Sequence, residues 1–173
     1  MAAVRLASAR NALTAIVLIV AFSPTAQLGA QDLPASIRTS GQTELLTVHA
    51  EGAQVYECGV DKSGGLAWRF REPIATLFQG ARTVGRHYAG PRWELVDGGT
   101  VQGKVEADAP GVTASDIPWL KLAVIAHQGK GVLDDAATIQ RINTRGGVLA
   151  GACDAAGMFR AVAYSADYVF LTK

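Results

Sequence analysis

From Thr43 onward the apolar positions of this chain repeat with a period close to two. Leu46, Val48 and Ala50 alternate with Leu45, Thr47 and His49, which predicts a strand with one buried face and not an amphipathic helix. A break at Glu51-Gly52 precedes a second short strand at residues 55–58. The cluster Asp61-Lys62-Ser63-Gly64-Gly65 is turn chemistry, because glycine takes positive φ and Asp and Ser side chains bond nearby backbone. Residues 66–70 then predict the return strand of a hairpin. Residues 73–79 are ambiguous between a short helical turn and a strand opened by Pro73. Strands follow at 83–88 and 92–96, separated by Ala89-Gly90-Pro91, a bend signal. The clearest half-buried strand is 100–107, where Val101, Gly103, Val105 and Ala107 alternate with Gln102, Lys104 and Glu106. It follows an Asp97-Gly98-Gly99 hairpin turn. After a loop at 108–116, strands are predicted at 119–126 and 138–143. In the last element, 159–171, Val162, Tyr164, Ala166, Tyr168 and Phe170 share one side. About nine short strands with little helical periodicity predict an all-β fold, a single-domain antiparallel sandwich or barrel.

The start of the chain changes the picture of where this domain works. Arg5 and Arg10 precede an apolar run at 12–22, Pro24 and a set of small residues ending at Ala30. That layout predicts a signal peptide over residues 1–30, with cleavage after Ala30 or Ala26. The run is shorter than the ~20 residues that span a bilayer. The expected mature chain, 31–173, is a single β-rich domain that is secreted or periplasmic. The chain carries 16 basic and 15 acidic residues; without Arg5 and Arg10 the balance is 14 to 15, about −1. That excludes non-specific nucleic-acid binding, which needs a basic surface. No second apolar stretch is long enough to cross a membrane. An even cysteine count in an exported protein predicts one disulfide, Cys58–Cys153. The alternative is two free buried thiols.

Several motifs then stand together. They are Gly85-Arg86-His87-Tyr88-Ala89-Gly90-Pro91-Arg92-Trp93-Glu94 with Asp97-Gly98, Ile117-Pro118-Trp119-Leu120, residues 139–147 followed by Cys153-Asp154, and residues 164–170, with Val55-Tyr56-Glu57-Cys58 upstream. In order and spacing they resemble a family of exported bacterial and fungal proteins catalogued only as a domain of unknown function. The resemblance runs from about Leu33 to Thr172 and implies an exported β-rich domain with two cysteines. It brings no activity. Lys121 departs from the leucine-rich run typical after Ile-Pro-Trp, which implies that its face of the strand is exposed.

The residues themselves offer limited chemistry. His49, His87 and His127 would suit zinc or copper if brought together, yet no His-x-His or His-Glu-x-x-His spacing accompanies them, so no metal and no cofactor are expected. His87 and Glu94 flank the bend at 89–91 and are the candidate catalytic pair, a base and a carboxylate. No Gly-x-Ser-x-Gly supplies a nucleophile. Trp68, Trp93 and Trp119 suggest a platform or pocket for a sugar or apolar ligand, with core packing as the alternative. Arg141, between apolar neighbours, reads as a buried anchor for Asp167 or Glu94, or as an anion-binding residue if it lines a cavity. Trp93, Trp119 and Arg141 are therefore the candidate ligand-binding residues. The reading that follows is a non-catalytic binding or cell-envelope module for an unidentified small molecule or envelope component. The alternatives are a hydrolase using His87 and Glu94, and a histidine metal-binding protein.

Overall fold

The computed structural model describes residues 33–173. The apolar run at 12–22 and both expected cleavage points lie outside the described residues. A short 3-10 turn, η1 (Ala35–Ile37), leads into eight strands: β1 (Glu44–Val60), β2 (Leu66–Gln79), β3 (Arg82–Tyr88), β4 (Arg92–Leu95), β5 (Thr100–Ala109), β6 (Trp119–Gln128), β7 (Thr138–Gly146) and β8 (Phe159–Leu171). Each is antiparallel to the next, and β8 pairs back onto β1, so the sheet closes into a barrel. Closure removes the edges of the sheet as a whole. Eight strands give an interior just wide enough to be filled by side chains or to hold one small ligand.

The alternating pattern identified the architecture, but two expected breaks are not breaks. Gly52 is not a turn; it lies mid-strand in β1, where a Cβ would collide with the Ile74 carbonyl and with Ala75. Glycine is there because two backbones approach closely. Residues 66–70 and 73–79 are likewise one strand, β2. It passes Pro73 after a bulge opposite Val55 and Tyr56. The nine short strands expected are therefore eight, and three of them are long: 17 residues in β1, 14 in β2 and 13 in β8.

The two halves of the barrel interior are filled differently. At the end where β1 begins and β8 finishes, Val48, Ala50, Leu77, Val84, Leu95, Val101, Ile139, Ala166 and Phe170 form a packed core, with Leu133 and Ala136 of the β6–β7 connection buried against it. A second, smaller cluster sits outside the barrel wall. There η1 brings Leu33 and Ile37 onto Ala109 and Trp119, and the Gln140 side-chain amide donates to the Ile37 carbonyl at 2.7 Å. Cys58 and Cys153, 95 positions apart in sequence, form a disulfide with Cα atoms 5.9 Å apart; neither is free. It ties the end of β1 to the loop whose Ala152 bridges Ala67 of β2.

Candidate functional site

Strand length creates an opening in the barrel wall. β3 is half as long as β2 and pairs only with its residues 75–79. At its other end β2 is covered by the disulfide-held loop, where the Trp68 N–H donates to the Gly151 carbonyl at 3.1 Å. Residues 69–74 of β2 have no strand partner on that side among the described residues. Opposite them lies the β3–β4 turn, where Gly90 has a φ of 127° that a side chain would strain. Behind this window is a cavity of about 430 Å³. The half-exposed Phe70 and Val105 stand at its entrance, Tyr56, Ile117, Leu120 and Leu122 give it an apolar wall, and His87, Trp93 and Tyr168 form its buried inner end, with the half-buried Arg141 beside them. Gly103 makes room for that end, since a Cβ there would sit 3.0 Å from the Trp93 ring and 3.2 Å from Leu122.

The inner end carries polar groups held in fixed states. His87 is 3% exposed and stacks on Trp93 with ring centroids 4.3 Å apart. Its Nδ1–H donates to the Arg92 carbonyl at 2.8 Å; a carbonyl only accepts, so the neutral ring keeps its lone pair on Nε2. Burial drives the His87 pKa down to about 3, against the opposing effect of that hydrogen bond, and the Arg141 charge adds to the depression. Tyr168 packs edge-on to Trp93 at 5.2 Å. Burial raises its hydroxyl pKa, while the charge of Arg141 and a hydrogen bond from it act in the other direction. Arg141 donates through Nε and Nη2 to the Pro118 carbonyl, at 3.1 and 2.8 Å. Gln54, 2% exposed, also lines the cavity, and its Nε2 has no acceptor among the described residues; the same holds for Trp93 Nε1.

The structure brings together only some of the residues singled out by sequence. His87, Trp93 and Arg141 share the cavity. Glu94 does not: His87 pairs in register with Trp93, whereas Glu94 pairs with Arg86. The Glu94 carboxylate accepts from Arg86 at 2.8 Å and from the Tyr88 hydroxyl at 3.1 Å. These bonds, Arg86 first, hold its pKa below the usual carboxylate value. His87 points into the barrel and Glu94 points away from it, so the expected base–carboxylate pair does not form. Trp119 faces outward beneath η1 and Trp68 lies beside the disulfide strand, so the three tryptophans build no platform. Arg141 anchors neither Asp167 nor Glu94. Asp167 instead accepts from Asn143 at 2.8 Å and bonds the His49 ring at 2.7 Å, on the outer wall. The histidines also disperse: His127 donates to the Ala136 carbonyl at 2.9 Å, near the packed end. No group of three or more His, Cys, Asp or Glu that could hold a metal occurs among the described residues.

Sequence reasoning overlooked Tyr56, Gln54 and Phe70. The alternation along 159–171 did place Tyr168 on one side with Tyr164 and Phe170. Gln54 and Tyr56 keep the inward parity of Val48 and Ala50 and share the lining; reading Glu51-Gly52 as a break is what hid them.

No curated protein and no solved structure matches this chain. One family model does, over residues 39–172. The match takes in all eight strands, both cysteines and the whole lining of the cavity, and by it the chain belongs to the family described as protein of unknown function DUF3455.

Proposed function

We propose that this chain is a non-catalytic binding module, exported to the periplasm or the cell exterior, which houses one small and largely apolar molecule in the open half of its barrel. The observation that carries the reading is the contrast between the two halves. One end is packed by aliphatic side chains and Phe170. The other encloses about 430 Å³ behind a window, although a protein of this size ordinarily fills its interior to crystal-like density. An apolar cavity with a few converging polar groups is the ordinary form of a ligand site. The charged start with its apolar run at 12–22, and the Cys58–Cys153 disulfide, support export, because disulfides persist in oxidising compartments. Against a catalytic role stand the outward Glu94 and the low basicity of His87.

The test uses 1-aminoanthracene, a neutral fluorophore that brightens in apolar surroundings. Saturable enhancement with one site per chain is expected. It should be lost in Val105→Trp, which plugs the entrance from a half-exposed position, while the thermal melt stays near that of the unsubstituted protein. Fluorescence that is unsaturable, or unchanged by Val105→Trp, would overturn the reading.

A further inference from the structure

The cavity has a sign. Its lining includes two arginines, Arg71 and Arg141, and no Asp or Glu. Arg71 is matched: it lies at the entrance, within 3.4 Å of Glu57 and 3.2 Å of Glu72, with its guanidinium 4.7 Å over the Phe159 ring. Arg141 has no carboxylate within ion-pair distance among the described residues. It is half-buried and stands in register between Leu120 of β6 and Tyr168 of β8. Its positive charge is felt at Tyr56, His87, Tyr164 and Tyr168.

A half-buried cation against an apolar wall gives up part of its hydration without a counter-charge, and that cost is offset when an anion joins it. Arg141 is also prepared for one. Two of its N–H groups are fixed on the Pro118 carbonyl, which sets the plane of a guanidinium that loses little freedom on binding. The Gln54 side chain, lining the same cavity, has an amide nitrogen without an acceptor among the described residues. His87 is neutral and adds no second charge, so the site offers one positive charge against an apolar wall. That is the complement of a monoanion, not of a phosphate dianion.

We propose, resting on the binding reading above, that the ligand is an organic acid: a compact aryl or short alkyl carboxylate. Its carboxylate lies against Arg141 and its apolar body fills the space among Tyr56, Leu120, Leu122 and Tyr168. The volume sits toward the small end of ligand pockets, which run ~300–1,000 Å³, and this sets the compact size.

The experiment is isothermal titration of the full chain with 1-naphthoate and octanoate, each against its neutral amide. The acids are expected to bind at least about tenfold tighter than the amides, in line with a charge-assisted, bidentate contact. In Arg141→Met the acid-to-amide ratio should fall to near one, with the larger loss on the acid. Arg141→Lys, which keeps the charge without the fork, should retain part of the ratio and gives the measurement if Arg141→Met fails to fold. Equal affinity for acid and amide in the unsubstituted protein would overturn the acid assignment and leave the cavity reading standing. If neither acid, nor amide, nor 1-aminoanthracene binds, both fall together.

Discussion

Acidification should expose how His87 is held. The folded pKa of this ring is about 3, below the ordinary value near 6.5, so protons bind the unfolded chain first as pH falls. The stability His87 contributes is complete above the unfolded value and is lost as pH drops from about 6.5 toward 3. One such group costs about 1.4 kcal/mol per pH unit well inside that window, which amounts to about 2 kcal/mol at pH 5 and about 3 kcal/mol at pH 4. The control is His87→Phe, which preserves a ring against Trp93 and Tyr168 but cannot titrate. It leaves the Arg92 carbonyl without its donor, a pH-independent penalty of about 1 kcal/mol. The variant should therefore be the less stable protein at pH 7 and the more stable one at pH 5. Urea unfolding of both proteins at pH 7, 6, 5 and 4 reads the difference directly, and groups common to both cancel. A difference between the two proteins that stays flat from pH 7 to pH 4 would refute the reasoning, because it would mean that the ring is reached by protons in the folded barrel.

Other outcomes follow from features on either side of the wall. Reducing Cys58–Cys153 removes the cross-link of a 95-position loop and should cost 2–5 kcal/mol, read as a lower urea midpoint in dithiothreitol. Glu94→Ala should leave the urea midpoint essentially unchanged, because the Arg86–Glu94 pair lies on the outer surface and exposed pairs contribute little. Titration of this variant with 1-aminoanthracene should match the unsubstituted protein, and a lost response would place Glu94 in the site after all.

Much of the fold was legible because a barrel wall in this chain obeys a period of two. On β8 the alternation alone identified Tyr164, Ala166, Tyr168 and Phe170 as inward. What it could not show was set by parity and by distant partners. His87 and Glu94 are separated by a bend whose length places Arg86, not His87, opposite Glu94; a shift of one residue would have reversed this. Trp119 sits on the face that alternation assigns to water, yet η1, from the other end of the chain, covers it. Gly52 and Pro73 are ordinary breakers in sequence, and only the neighbouring strand reveals that one permits close approach and the other follows a bulge. Arg141 was noticed for its apolar neighbours, but its lack of a counter-charge is a property of three strands at once.

The window between β2 and the β3–β4 turn has a kinetic consequence. It exists because one strand is half the length of its neighbour, and the disulfide-held loop covers only the far end of β2. Among the described residues, no lid or helix covers the entrance to the cavity. Arrival should be governed by diffusion to a fixed aperture, and residence time by contacts within the barrel, since affinity among related ligands is tuned chiefly through departure rates. On the binding reading proposed above, such an aperture sets a fast exchange of the bound molecule.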